Sequence, residues 1–157
     1  MLRAALLSLL LALSLTGCGD KDEPGSGGLK LGDSTTLAQA DVSTKLTAST
    51  ITDPFAPEGP RPPAGQHYVG VALSWTDNGK PFPHDYARFA LVDEDGTRTT
   101  GAVLTPLKKT FADKAAKGQP QTQVVALPIA EGRKPKTLEL SSIVKSWPFK
   151  AKWALTQ

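Results

Sequence analysis

The sequence predicts a single all-β domain built as an antiparallel sandwich of about seven or eight strands, and three observations lead to this prediction. The chain has 157 residues, a length that suits one domain with its own hydrophobic core. Its 13 prolines and 14 glycines are typical of short strands joined by turns. Apolar and polar residues alternate in several short segments, and turn signals separate them at intervals that favour a sandwich over a barrel.

The amino-terminal segment is typical of a secretory signal peptide. Arg3 precedes a mostly apolar run that ends at Leu15, well short of the roughly 20 residues that a membrane-spanning helix needs. The tetrapeptide Leu15-Thr16-Gly17-Cys18 resembles the lipobox that bacterial lipoprotein processing recognises. That resemblance implies cleavage of residues 1–17, a diacylglycerol thioether on Cys18 and further acylation, for example with palmitate. We therefore expect a lipid-anchored protein on the extracytoplasmic face of a cell membrane.

Cys18 is the one cysteine of the chain. If it carries lipid, the mature protein has no thiol, which excludes cysteine nucleophiles, disulfides and thiolate metal sites. Residues 19–28 are charged or Gly-rich and contain no apolar side chain, so residues 18–33 are assigned to the lipidated cysteine and a flexible tether. The sandwich is assigned to residues 34–157.

The charge pattern excludes a nucleic-acid-binding class. Removal of Arg3 with the leader lowers the formal net charge from +3 to +2. Basic residues concentrate after residue 105, and five of them are expected to form a solvated face that could alternatively contact lipid headgroups or an anionic polymer. These five residues are Lys134, Lys136, Lys145, Lys150 and Lys152.

The first half of the domain contains four predicted strands. Residues 35–38 and 42–51 are Thr-rich and weakly alternating, as at a sheet edge. Residues 53–65 contain five prolines and are predicted to form a long loop. A strand follows in which Val69, Val71, Leu73 and Trp75 share one face. The next strand carries Phe89 and Leu91 and ends in a hairpin turn at Asp95-Gly96.

The second half contains the one candidate helix, at residues 107–117, where Leu107, Phe111 and Ala115 recur every four residues. Two short strands are predicted around residues 125–129 and 138–140. The final strand shows the clearest alternation, because five apolar residues share one face. They are Trp147, Phe149, Ala151, Trp153 and Leu155.

Three stretches of the domain resemble a known family. They are the predicted strand at residues 42–51, the segment GQHYVGVALSWTDNGKPF and, after FALVDEDGTRTT, the segment KGQPQTQVVALPIAEGRKPKTLELSS. Together they extend the resemblance over about residues 34–157. They are similar to the telokin-like, immunoglobulin-like domain of many lipoproteins and secreted proteins of Gram-positive bacteria. The resemblance implies an immunoglobulin-like antiparallel β-sandwich and export, and it carries over no catalytic residue.

Candidate sites are few, and each has a structural alternative. Asp93, Glu94 and Asp95 could bind a hard cation such as calcium, or they could simply form a hairpin turn. The two histidines, His67 and His84, have no carboxylate or cysteine at metal-ligand spacing. Ser74, His84 and Asp85 could in principle form a hydrolytic triad, but no Gly-x-Ser-x-Gly motif selects them. The tryptophans fit a core better than a ligand platform.

The sequence therefore predicts a binding or interaction module at the cell envelope that is not an enzyme and needs no cofactor. Its expected partner is another envelope protein. The alternative is a carrier of an apolar or lipid ligand, which would require a cavity between the two sheets. A hydrolase would instead require a histidine and carboxylates that converge in a cleft.

Overall fold

The protein is seen in a computed structural model that describes residues 28–78, 87–101, 103–106 and 118–155. These residues form ten strands. The strands are β1 (Leu29–Lys30), β2 (Ser34–Gln39), β3 (Val42–Phe55), β4 (Gln66–Asp77), β5 (Ala87–Asp93), β6 (Arg98–Thr100), β7 (Val103–Pro106), β8 (Pro120–Ala130), β9 (Pro135–Ser142) and β10 (Lys150–Ala154). Within the same ranges no helix is long and apolar enough to cross a membrane.

The strands form two five-stranded sheets. Sheet A has the order β1-β10-β9-β5-β6, and sheet B has the order β2-β3-β4-β8-β7. Neighbouring strands are antiparallel except β1, which runs parallel to β10. The predicted all-β sandwich is confirmed. It has more strands than expected because β1 and β6, with two and three residues, are too short to show an alternating pattern.

The hydrophobic core lies between the sheets and consists of the residues that the alternation assigned to inward faces. Sheet B contributes the Val69, Val71 and Leu73 side chains of β4, each fully buried. Sheet A contributes Leu138 and Trp153, which are fully buried as well. The five apolar residues of the predicted last strand are all buried, although β10 itself covers only Lys150–Ala154 and the prediction of a strand at residues 147–149 is wrong. This agreement follows from the two-residue period of a strand, which sends alternate side chains to opposite faces.

The sandwich begins earlier in the chain than residue 34. Leu29 and Lys30, which the sequence assigned to the tether, pair with Trp153 and Ala154 of β10. The Trp153 indole Nε1 donates a hydrogen bond to the Asp33 carbonyl at 3.2 Å. Leu29 also packs against the core, so apolar contact and a partly buried hydrogen bond hold this segment on sheet A.

The prediction of a loop over residues 53–65 is wrong for its first three residues, because β3 continues to Phe55. The Phe55 ring lies over Gly70, and a Cβ at Gly70 would be only 2.6 Å from Phe55 Cγ. Pro54 is tolerated because β2 pairs with β3 only up to Thr47, so the later part of β3 has a free outer edge.

The hairpin predicted at Asp95-Gly96 is confirmed and joins β5 to β6. Gly96 has a φ of 85°, a left-handed conformation that glycine adopts without a steric cost. The helix predicted over residues 107–117 lies outside the described residues, as do Leu15, Thr16, Gly17, Cys18, His84 and Asp85.

Candidate functional site

The acidic cluster is a structural turn in which the three carboxylates do not converge. Asp93 is buried, and its Oδ1 accepts hydrogen bonds from the backbone N–H groups of Asp95 at 3.0 Å and Thr97 at 2.8 Å. Asp95 forms an ion pair with Arg133, and Glu94 is exposed. Within the described ranges no group of three or more metal-ligating side chains is placed to hold an ion. The geometry therefore favours the hairpin interpretation over the cation site.

The five lysines expected to share one face are divided among three locations. Lys150 and Lys152 project from β10 on the outer face of sheet A, since the intervening Ala151 points into the core. Lys134 and Lys136 lie at the β8–β9 turn and the start of β9. Lys145 is exposed in the β9–β10 loop. The prediction of a single lysine face is wrong because these residues belong to different ends of the strands.

The outer face of sheet A gathers basic residues that are distant in the sequence. The strand registers form three rows across this face. The first row contains Lys30, Ala154, Thr137, Val92 and Arg98. The second row contains Lys152, Glu139, Ala90 and Thr100. The third row contains Lys150, Ser141 and Arg88. We call its five cations, Lys30, Arg88, Arg98, Lys150 and Lys152, the basic face.

One carboxylate, Glu139, lies among these cations. Its Oε2 accepts a hydrogen bond from Arg98 Nε at 3.0 Å, and its Oε1 lies 3.7 Å from Lys152 Nζ. Within the described part of the chain, Arg88 and Lys150 form no ion pair. A shallow depression of about 310 Å³ lies beside Glu139 and Lys150. The face therefore has a marked excess of positive charge and open access from solvent.

A second polar region lies at the end of the sandwich where β4 and β9 begin. The His67 ring is largely buried, and its Nε2 lies 2.7 Å from Asp53 Oδ1. Its Nδ1 lies 3.5 Å from Glu131 Oε2, which is too long for a good hydrogen bond, and this buried nitrogen has no hydrogen-bond partner among the described residues. We call Asp53, His67, Glu131 and Lys134 the charged end.

Tight contacts between turns make the charged end a rigid surface. The Glu94 backbone N–H donates to the Lys134 carbonyl at 3.0 Å, and the Glu131 N–H donates to the Gly65 carbonyl at 3.0 Å. Two depressions of about 410 and 480 Å³ meet at Asp53 and Lys134. Side chains of both signs therefore line a continuous shallow groove that preformed backbone contacts hold in place.

The described part of the charged end offers no hydroxyl or thiol nucleophile beside His67. The described side chains that line its depressions include no serine, threonine or cysteine. Ser74 lies seven residues along β4 from His67, which corresponds to about 23 Å in an extended strand. The two therefore cannot act together, although the structure does give His67 a carboxylate neighbour that the sequence spacing did not reveal.

Sequence reasoning missed residues in both regions. Asp53 approaches His67 because β3 and β4 are antiparallel neighbours with a register shift between Thr52 and Phe55, and no local pattern encodes that shift. Arg88 and Arg98 join the basic face through the pairings of β5 with β9 and β6. The alternation of a predicted strand indicates which of its side chains point outward. Only the order of the strands in the sheet shows which of these outward side chains lie together.

The space between the sheets is filled where the structure describes it. Fully buried side chains from both sheets occupy the centre, including Leu73, Leu127, Leu140 and Trp153. Three depressions formed by described residues lie on the outer face of sheet A and at the charged end. In the described part of the core, packed side chains thus occupy the space that a carrier's ligand would need.

Comparison with known proteins supports the fold. A solved structure with a similar architecture is that of an uncharacterized β-sandwich protein from Clostridium difficile 630. It has a TM-score of 0.51 and 12% sequence identity, and the match covers 87% of this chain and 99% of that one. No protein-family model and no curated protein matches the sequence. The chain is thus similar to a bacterial β-sandwich protein in fold.

Proposed function

We propose that this protein is a membrane-anchored extracytoplasmic lipoprotein that acts as a non-enzymatic interaction module and binds another protein of the cell envelope. The observation that carries the binding role is the charged end. Asp53, Glu131 and Lys134 line the same groove, which therefore carries two carboxylates and an ammonium group. A protein surface offers complementary charges of both signs in a fixed arrangement, whereas a phosphate polymer offers only negative ones.

The sequence supports the proposed anchor. The apolar segment after Arg3 and the tetrapeptide that ends at Cys18 have the features of a lipoprotein signal. Since Leu29 already belongs to sheet A, about ten residues separate the lipid from the sandwich, a tether of roughly 15–20 Å. A domain held so near a membrane meets other envelope proteins at a high effective concentration.

We also infer membership of the telokin-like, immunoglobulin-like family at the level of the domain. Two features support this finer assignment. The stretch FALVDEDGTRTT forms the β5–β6 hairpin, and the stretch that begins at Gly65 forms β4 at the centre of sheet B. The family resemblance concerns fold and export, so it fits a binding role without adding a catalytic one.

Acyl labelling tests the anchor. Cells that express the full chain are fed an alkyne-bearing fatty acid, and the purified protein is assayed for label and for mass. The wild type should carry label and lack residues 1–17, whereas Cys18→Ala should remain an unlabelled precursor. Equal labelling of Cys18→Ala would refute the anchor.

Site-specific crosslinking tests the protein partner. A photoreactive amino acid replaces Lys134 at the charged end in one variant and Lys45 in a matched control. Lys45 is exposed on the outer face of sheet B. Illumination of intact membranes should give a discrete adduct from position 134 that Glu131→Lys weakens, and no such adduct from position 45. Identical adducts from both positions would show that the charged end does not select a partner.

A further inference from the structure

We propose that the basic face lies on the anionic lipid headgroups of the membrane that holds the chain, so that sheet A faces the bilayer and sheet B faces away. This inference rests on the proposed anchoring and adds an orientation to it. The argument uses three independent features of the described residues: the charge of the two outer faces, the position where the chain enters the sandwich, and one exposed apolar side chain.

The two outer faces of the sandwich differ in charge. The basic face presents five cations with Glu139 as the carboxylate among them. Asp33 lies near its margin, where its carboxylate accepts a hydrogen bond from the Lys30 backbone N–H at 2.8 Å. The described strands of sheet B point mainly Thr, Ser and Ala side chains outward, with Lys45 as their one charged residue. Negative headgroups therefore attract sheet A much more strongly than sheet B.

The chain enters the sandwich beside the basic face. β1 is the edge strand of sheet A, and Leu29 lies opposite Trp153 of the parallel strand β10. Because the two strands run in the same direction, the chain approaches Leu29 from the end of β10 that carries Lys150. A short tether at this position brings the basic face, rather than sheet B, within reach of the headgroups.

The β9–β10 loop supplies an apolar contact at the same end. Ile143 is 52% exposed, and among the described residues no other large hydrophobic side chain is exposed. Lys145 lies in the same loop and is exposed. An apolar side chain with adjacent cations is suited to the interface between headgroups and acyl chains, where the cations remain with the phosphates.

This orientation leaves the charged end accessible to a protein partner. β9 begins at Pro135, next to the charged end, and finishes at Ser142, next to Ile143. The two regions therefore lie at opposite ends of sheet A. With sheet A on the bilayer and Ile143 at one margin of the contact, His67 and Lys134 lie at the opposite margin, where a protein partner can reach them.

Vesicle binding tests the proposal without the lipid anchor. The sheets and the core lie within residues 28–155, so a fragment of residues 19–157 contains the whole described sandwich. The fragment is sedimented with vesicles of phosphatidylcholine alone or mixed with phosphatidylglycerol, at low and high salt. It should bind the anionic vesicles, bind the neutral ones weakly, and be released by salt, because screening shortens the range of the attraction.

Two double variants, each of which removes two positive charges, locate the surface that contacts the vesicle. Arg88→Gln with Lys150→Gln removes two exposed cations that have no described ion-pair partner. Each should weaken binding about fivefold, so the pair should weaken it about 25-fold. The control, Lys45→Gln with Arg61→Gln, removes the same charge from the side of sheet B, where Tyr68 Oη donates to the Arg61 carbonyl. The control should change binding less than about threefold.

Ile143→Ser should weaken binding to anionic vesicles severalfold while it leaves the salt dependence unchanged, since it removes only the apolar contact. Circular dichroism and tryptophan fluorescence verify that each variant is folded.

Several outcomes would overturn the proposal. They are an absence of binding to anionic vesicles at low salt, equal binding to neutral vesicles, and equal losses in the two paired variants. Binding of the fragment to soluble polyphosphate but not to anionic vesicles would assign the face to a soluble polyanion and refute the lipid contact. The assay is independent of Cys18, so failure here leaves the acyl-labelling result intact, and failure of acyl labelling leaves the vesicle result intact.

Discussion

Replacement of Asp93 separates the two interpretations of the acidic turn. The Asp93 carboxylate is 5% exposed and accepts two backbone hydrogen bonds, from Asp95 and Thr97. A hydrogen bond to a charged group contributes about 1.5–3 kcal/mol. Asp93→Ala removes both bonds, which together contribute about 3–6 kcal/mol. Because the donor residues Asp95 and Thr97 are themselves exposed, water replaces part of this contribution, and we expect a net loss of about 2–4 kcal/mol. Asp93→Asn keeps a neutral acceptor oxygen and should cost about 1 kcal/mol.

Urea unfolding followed by tryptophan fluorescence measures these differences in the free energy of unfolding. For a domain of this size, a loss of 2–4 kcal/mol corresponds to a decrease in Tm of roughly 6–16 °C. Glu94→Ala is the matched control, because Glu94 is the exposed neighbour in the same turn, and it should change stability by less than about 0.5 kcal/mol.

Calcium provides the opposing test. If the carboxylates held a cation, added calcium would raise the Tm of the wild type, and Asp93→Asn would abolish that increase. The structure predicts no change with calcium in any of the variants. Equal stabilities of Asp93→Ala and Glu94→Ala would refute the role of the two backbone hydrogen bonds.

Three further substitutions test the packing of the sandwich. Gly70→Ala should destabilise the protein by about 1–3 kcal/mol, because the new Cβ would lie 2.6 Å from Phe55 Cγ; the same change combined with Phe55→Ala should recover part of the loss in urea unfolding. Trp153→Ala should cost about 3–5 kcal/mol because Trp153 is fully buried, and an unchanged unfolding midpoint would contradict that burial. Glu139→Gln should change stability by less than about 1 kcal/mol because its ion pairs are partly exposed, but it should increase binding to anionic vesicles.

The sequence was sufficient for features that depend on short-range order. The period of two in β4 and β10 identified the inward residues correctly, because a buried face tolerates only apolar side chains at alternate positions. The turn at Gly96 was also predictable, since Asp-Gly is strongly preferred where the backbone must adopt a positive φ. The lipobox prediction is likewise local in origin, and it stays a prediction that acyl labelling will test.

The strand that begins at Leu29 shows where local patterns fail. Two residues cannot display alternation, so the segment resembled the Gly-rich tether before it. Its place in sheet A depends on pairing with Trp153 and on the hydrogen bond to Asp33. The end of β3 was missed for a similar reason, because the proline signal is local whereas the packing of Phe55 on Gly70 joins two strands.

Taken alone, the sequence determined the all-β class and the inward faces, because each depends on residues that are close together in the chain. The tertiary structure decided which charged side chains share a surface. Lys30, Arg88 and Lys150 lie on one face, and Asp53 lies against His67, only because strands distant in sequence are neighbours in the sheets. Strand order and register depend on how the two hydrophobic faces pack together, and that packing involves the whole chain at once.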